Sequence, residues 1–180
     1  MTMPVKIGVG IGAIAAAIGA CFYFFKGKGM IEVADKLDIS LLKMPQVHNF
    51  EGLDMVIAVP LKLDNPTSGR IDKLQLRQFY LYYNGKQVGK SKINSTLYTI
   101  PAVSSAQISN PPVYFTVPIL SNISTIADLL TGISTSEILS NPKGCITKAS
   151  ANLSKVMSKM DFKGFISANG IDLEINVKGL

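Results

Sequence analysis

The sequence predicts an all-β protein: an antiparallel β-sandwich with one short helix, preceded by a single transmembrane α-helix. Three features of the chain predict this class. An uncharged apolar run lies near the N-terminus, six or seven short runs follow it, and turn signals rich in Asn, Pro and Gly separate those runs. We therefore divide the chain into an N-terminal anchor, residues 1–29, and a β-sandwich domain, residues 30–180.

The anchor is predicted from Ile7–Phe25, "IGVGIGAIAAAIGACFYFF", which has 19 residues and no charge. As a helix, this run is just long enough to cross the hydrocarbon core of a bilayer. The aromatic residues Phe22–Phe25 stand at one end, where an aromatic belt would meet the membrane interface. Lys6 before the run and Lys26 and Lys28 after it nearly balance, so the positive-inside rule leaves open which side the domain faces.

One face of this predicted helix consists of small residues at every fourth position. Such a face lets helices approach closely in lipid, where association depends on packing. We therefore expect membrane lipid and other protein subunits as partners of the anchor. The residues assigned to it are Ile7, Gly8, Gly12, Ala16, Ala20, Phe22 and Phe25.

A cleaved signal peptide is the main alternative for this segment, because it too would have a charged start and an apolar centre. The letters "AIGAC" also resemble a lipoprotein cleavage site ending at Cys21. However, the apolar run continues past Cys21 through four aromatic residues, whereas a lipoprotein turns polar there. This continuation favours an uncleaved, single-pass membrane anchor.

The first strands of the domain follow from alternation. Every odd position from Leu53 to Leu63 is apolar, which predicts a strand with one face in a core. Asn65-Pro66 then ends the strand, since Pro fixes φ and biases its predecessor to extended geometry. A second strand, Leu74–Tyr83, leads to Asn84-Gly85, the strongest short hairpin signal, and to a return strand, Lys86–Ile93.

The second half predicts apolar runs at Tyr98–Val103 and Val113–Ile119, with "SNPP" excluding a helix between them. Ile123–Leu130, "ISTIADLL", is the one segment expected to form a helix. The stretch 131–148, which contains "STSEILSNPKGCIT", is expected to be a loop that contacts partners. The last strand should direct one set of residues inward and the other outward: Ile171, Leu173, Ile175 and Val177, against Asp172, Glu174, Asn176 and Lys178.

Strands of this number and spacing indicate a sandwich of the immunoglobulin or fibronectin type. The Cys…Trp…Cys pattern of antibody domains is absent, since the chain has no Trp and only two cysteines. Cys21 lies in the apolar segment and Cys145 in a late loop, so we expect no disulfide between them.

The order of these motifs resembles the late embryogenesis abundant type 2 (LEA-2) family and its water-stress and hypersensitive-response (WHy) domain. The matching motifs are Asn65-Pro66 at a strand end, the hairpin Tyr82–Gly85, "IPA" at Ile100–Ala102, and Val117-Pro118. The resemblance covers about residues 31–180, and the 131–148 stretch departs from its compact pattern. It implies a folded domain that protects membranes or client proteins during desiccation or cold.

No catalytic motif accompanies this fold. Walker, Rossmann and nucleophile-elbow patterns are absent, and the single His48 leaves little scope for triad chemistry or a metal site. The net charge of +6 comes from scattered residues, with a small cluster at Lys86, Lys90 and Lys92 that reads as a solvated strand edge. We expect no enzyme activity, cofactor, metal, nucleic acid or small-molecule substrate. Three Asn-x-Ser/Thr sequons begin at Asn94, Asn122 and Asn152.

Three functions compete at this point. The first is a non-catalytic, membrane-anchored structural or interaction protein, for example in a membrane-associated assembly such as a lipid-containing virion. The second is the stress protection that the LEA-2 resemblance implies. The third is the binding of a lipid or small ligand between the two layers of the sandwich. Both of the first two need the same fold and anchor, so the sequence does not separate them.

Overall fold

The structure is a computed structural model that describes residues 36–93, 95–168 and 170–178. Nine strands dominate this part of the chain. All their pairings are antiparallel, in the order β1-β3-β7-β5-β4-β8-β9, with β2 also on β3 and β6 also on β4. The predicted antiparallel β-fold is thus confirmed, as one curled sheet. The strands are β1 Asp38–Leu41, β2 Gln46–Glu51, β3 Asp54–Asn65, β4 Ile71–Tyr83, β5 Lys86–Ser91, β6 Leu97–Ile100, β7 Ser104–Pro118, β8 Met160–Ala168 and β9 Ile171–Lys178.

Strand β3 shows why alternation predicted the core so well. Its odd-numbered residues from Met55 to Leu63 are all at most 1% exposed, whereas most residues between them are half-exposed. The inward face lies in a single hydrophobic core with residues of β4, β7 and β8. Phe115 of β7 and Phe162 of β8 contact each other there, with ring centroids 6.2 Å apart.

The curl has a local cause at the junction of β5 and β7. These strands pair only at Lys90↔Thr116 and Ser91↔Phe115, which joins the β1–β3–β7 half of the sheet to the β4–β8–β9 half. A bulge in β4 between Leu76 and Phe79 shifts the register, so residues on both sides of it face the core. The Ser91 hydroxyl accepts a hydrogen bond from the Phe79 N–H at 2.8 Å and holds the bulge in place.

The predicted Asn84-Gly85 turn is confirmed. Both residues have positive φ, 48° and 76°, as a type I′ hairpin requires. A second glycine is required further on, at Gly164, because a Cβ there would lie 2.5 Å from Cδ1 of the buried Phe79. Gly85 therefore allows the tight turn, and Gly164 allows the close approach of β8 to β4.

Asn65 anchors the far end of the sheet through four hydrogen bonds. Its Nδ2 donates to the carbonyls of Gly69 at 2.7 Å and Pro101 at 3.1 Å. Its Oδ1 accepts from the N–H and hydroxyl of Thr67, at 3.2 and 2.7 Å. Asn65 is 1% exposed, so these bonds satisfy a buried amide, and the predicted architectural role of Asn65-Pro66 is consistent with them.

The helices differ from the sequence prediction. The segment Ile123–Leu130 was expected to be the one helix, but it is a turn followed by a 3₁₀ turn, Ala127–Leu130. Its buried residues Ile126 and Leu129 are three apart, the spacing of a 3₁₀ turn. The α-helices among the described residues are α1 Ile119–Asn122, α2 Thr135–Ser140 and α3 Pro142–Val156, and a second 3₁₀ turn is Met157–Lys159.

The expected loop 131–148 is therefore wrong, because it contains α2 and the first half of α3. Both helices have start signals: Glu137 N–H donates to Ser134 Oγ, and Gly144 N–H to Asn141 Oδ1, with Pro142 in the first turn of α3. The apolar face of α3 was hard to predict from the sequence because small and polar residues make up much of the helix. Its buried side chains are Cys145, Ala149, Leu153 and Val156.

Helix α3 packs against β2, where the Val47 N–H donates to the Ser150 hydroxyl at 3.1 Å. It thereby covers a sheet edge that would otherwise present unpaired backbone groups. At the opposite edge, two of the four predicted inward residues of β9 are confirmed, since Leu173 and Ile175 are at most 3% exposed. Asn176 was expected to face outward, but it is only 8% exposed, so that part of the alternation is wrong.

The predicted anchor, residues 1–29, lies outside the described residues, and so do all seven positions assigned to it. Within residues 36–93, 95–168 and 170–178, no helix is long and apolar enough to cross a membrane.

Replacing Asn65 by Ala should lower the free energy of unfolding by about 2–4 kcal/mol, because it removes the four hydrogen bonds of a buried amide. Chemical denaturation of both proteins measures this loss. Ser68→Ala, an exposed neighbour in the same loop, is the matched control and should change stability by less than about 0.5 kcal/mol. Equal stability of the two variants would show that the Asn65 network does not hold this end of the sheet.

Candidate interaction surface

An apolar groove lies between α1 and α2, and we call it the helical groove. It encloses about 410 Å³. The helices on either side carry further exposed apolar side chains, Leu120 on α1 at 64% and Leu139 on α2 at 63%, and Ile123 in the lining is 48% exposed. Clustered exposed apolar side chains mark binding surfaces more often than isolated ones do. The residues lining the groove are Ile123, Ala127, Leu130, Ile133, Ser134, Thr135 and Ile138.

The wall formed by α2 is fixed to α3 by charge. Lys148 Nζ lies 2.6 Å from Glu137 Oε1 and 3.4 Å from the Gly132 carbonyl. This contact lowers the pKa of Glu137 and raises the pKa of Lys148. The pair is solvent-exposed, so its role is to orient the two helices rather than to add much stability.

Asn152 fixes the wall of the groove that the 3₁₀ turn forms. Its Nδ2 donates to the carbonyls of Leu129 and Thr131, at 3.2 and 2.9 Å. Asn122 makes a similar clasp at the other side, donating to Val88 and Pro118 at 3.1 and 2.8 Å. Both asparagines begin sequons, and glycosylation would replace one of the two amide hydrogens that each side chain donates here.

A three-residue clamp attaches the 3₁₀ turn of the groove to the sheet. The hydroxyl of Tyr83, at the end of β4, donates to Asp128 Oδ2 at 2.7 Å, and Lys159 Nζ lies 2.8 Å from the same oxygen. Lys159 and then Tyr83 lower the pKa of Asp128, while the Asp128 carboxylate raises the pKa of Lys159. Burial, followed by the hydrogen bond to Asp128, raises the pKa of Tyr83.

The groove lies at one end of the sheet and the chain enters at the other. Ile119, which begins α1, donates to the carbonyl of Leu53 just before β3. Asp38, which begins β1, pairs with Asp64 at the far end of the same strand. Strand β3 has 12 residues, so the two ends are about 40 Å apart along it.

Sequence reasoning assigned partner contacts to 131–148 but missed the shape of the surface. The residues that form the groove come from that stretch and from the mispredicted 123–130 segment. The motif pairs Asn65-Pro66 and Asn84-Gly85 lie in a buried turn network and a hairpin, outside the groove. The signals available in the sequence were Ser134-x-x-Glu137 and Asn141-Pro142, which mark two helix starts.

The other sequence candidates lie apart from the groove. His48 is exposed on β2 and its ring lies 4.9 Å from that of Tyr114. Cys145 is a buried free thiol, and burial raises its pKa. Among the described residues, no three His, Cys, Asp or Glu side chains cluster in a way that could hold a metal ion.

No protein-family model matches this sequence, and no curated protein matches it significantly. The resemblance to the LEA-2 family therefore stays a prediction.

Replacing Asp128 by Asn should flatten the loss of stability at acidic pH. A carboxyl whose folded-state pKa lies below its ordinary value of 3.8 stabilises the fold above that value, and this contribution is lost as pH falls through the folded-state pKa. The stability advantage of the wild type over the variant should thus be present at neutral pH and vanish once the pH falls below the folded-state pKa of Asp128.

Urea denaturation between neutral and acidic pH measures this difference. Glu51→Gln, which removes an exposed carboxylate from the β2–β3 hairpin, is the charge-matched control and should keep the acid profile of the wild type. Parallel profiles for Asp128→Asn and the wild type would mean that the clamp contributes nothing to the stability of the groove end.

Proposed function

We propose that the protein is a non-catalytic interaction module, held at a membrane by residues 1–29, that binds another protein subunit through the helical groove. The single observation that carries this proposal is the groove itself. It encloses about 410 Å³, its lining is largely apolar, and the helices on either side carry the exposed Leu120 and Leu139. An apolar surface rimmed by polar groups is typical of protein–protein interfaces.

The position of the groove supports a protein rather than a lipid as its occupant. An anchor before residue 30 would hold the Asp38 end of the sheet towards the bilayer. The groove would then lie about 40 Å further out, beyond the reach of lipids in that bilayer. The module would therefore link a membrane to a partner above it, as in a membrane-associated assembly such as a lipid-containing virion.

We further propose that the curled sheet is an immunoglobulin-like or fibronectin-like sandwich. In support, the β3–β7 half and the β4–β8–β9 half share one core, in which Phe115 and Phe162 from opposite halves contact each other. Such a sandwich is a rigid spacer that can present a surface at either end.

Leu139→Glu and Ile123→Glu should each abolish binding of the partner without unfolding the domain. Leu139 is 63% and Ile123 48% exposed, so a charge there costs little in the free protein but would be buried in the complex. The full-length chain is extracted in mild detergent from its native source, and stoichiometric co-purification of a second protein is measured beside the melting temperature.

Leu97→Glu is the matched control, since Leu97 is 60% exposed on β6, away from the groove. The control should retain the partner. If all three variants retain it, or if the wild type is extracted as a free monomer, the groove is not the binding surface.

The anchor makes a separate prediction. Gly12→Leu or Ala16→Leu should disturb oligomerisation or assembly, because a Leu side chain would hold a neighbouring helix away from the small-residue face. Membrane insertion should persist, since Leu is favourable at the bilayer centre. Cross-linking in membranes measures the assembly. Normal assembly of both variants would mean that the segment is only a tether.

Stress protection is the second candidate, and one observation favours it. The "DNPTS" and "TIPA" motifs that carry the LEA-2 resemblance contact each other, through the bond from Asn65 to the Pro101 carbonyl. They thus act as one structural unit, as shared family motifs would. A deletion strain that survives drying and freezing as well as its parent would reject this candidate and leave the interaction module in place.

A further inference from the structure

A second cavity lies where the two halves of the sheet separate, and we call it the seam cleft. It encloses about 200 Å³. Beyond Ser91, β5 ends, and β7 makes a large bulge, since its register against β3 jumps from Val113 to Ile108 while β3 advances only two residues. The gap between these strands is the cleft. Its lining residues are Leu76, Arg77, Lys92, Ile93, Ser95, Pro112, Val113 and Tyr114.

The lining of the seam cleft is amphipathic. Leu76 and Val113 form a buried apolar floor, at 1% and 6% exposure, and Ile93 covers one side while 67% exposed. Tyr114 also lines the cleft, and its ring lies 4.9 Å from that of His48. An apolar floor with a few polar groups at its edge is the usual form of a small-ligand site.

The charged groups of the lining are both cationic: Arg77 and Lys92, with no carboxylate among the eight lining residues. The one ion pair that the described residues give Arg77 is to Asp172, with Nε and Oδ1 3.9 Å apart. This distance is too long for a hydrogen bond, so the guanidinium keeps its donors available for a ligand. Two cations above an apolar floor fit an anion that carries an apolar chain.

We propose that the seam cleft binds an anionic amphiphile, such as a fatty-acid carboxylate or the headgroup region of an anionic lipid. Arg77 and Lys92 bind the anionic group, and the first carbons of the chain lie on Leu76, Ile93 and Val113. The volume is below the 300–1,000 Å³ of drug-sized sites, so the cleft holds the head and the start of a chain rather than a whole lipid.

Calorimetric titration of the full-length chain in phosphatidylcholine nanodiscs with octanoate tests this site. Octanoate should bind saturably, one per chain, whereas octanol, which lacks the charge, and acetate, which lacks the chain, should not bind. The double variant Arg77→Gln with Lys92→Gln should weaken octanoate binding by roughly tenfold or more, because it removes two charge-assisted contacts. Both side chains are exposed, so the melting temperature should not change.

Lys143→Gln with Lys155→Gln removes the same charge from exposed positions on α3 and is the matched control. An equal loss of binding in this control, or octanol binding as tightly as octanoate, would overturn the proposal. Nanodiscs that contain phosphatidylglycerol separate the two sources of the ligand. Competition by that lipid would assign the site to the bilayer, and unchanged octanoate affinity would assign it to a free fatty acid.

Discussion

The two-residue pairing between β5 and β7 is the constraint on which the rest of the structure depends. Among the strands that the structure describes, it is the one pairing that joins the two halves of the sheet, and it requires a glycine beside it. A Cβ on Gly89 would lie 2.7 Å from the Thr116 carbonyl oxygen, so any larger residue would push the strands apart. The core that both halves share is buried only while this junction is closed.

Both candidate surfaces follow from the same junction. On one side of it the strands diverge and leave the seam cleft, with Ser91 tied to the β4 bulge at its edge. On the other side β7 continues to Pro118 and delivers the chain to α1, where the helical groove begins. Since the groove and the seam cleft are built on separate residues, the proposed protein partner and the proposed anionic ligand would not compete for the same side chains.

Much of the fold was predictable because apolar residues at every second position of a strand indicate directly which face is buried. Every odd position from Met55 to Leu63 is apolar and buried, and Asn84-Gly85 has few other uses than a tight turn. Helix α3, to which the α2 wall of the groove is attached, was not predictable, because it presents Cys145 and Ala149 to the core, and small residues give no clear apolar period. The burial of Asn176 and the bulge in β4 were missed for another reason. Burial on an outward face and a register shift both depend on the partner strands, and the local sequence pattern contains no information about those strands.

Site-specific photo-cross-linking tests the proposed function most directly. A photoreactive residue replaces Leu139 in the full-length chain, and cross-linking is carried out in the native membranes or particles. The account predicts one discrete protein adduct that is lost when Ile123 is also changed to Glu, and that does not form when the photoreactive residue replaces the exposed Met44 instead. Lipid adducts alone at position 139, or the same adducts from both positions, would contradict a protein partner in the groove.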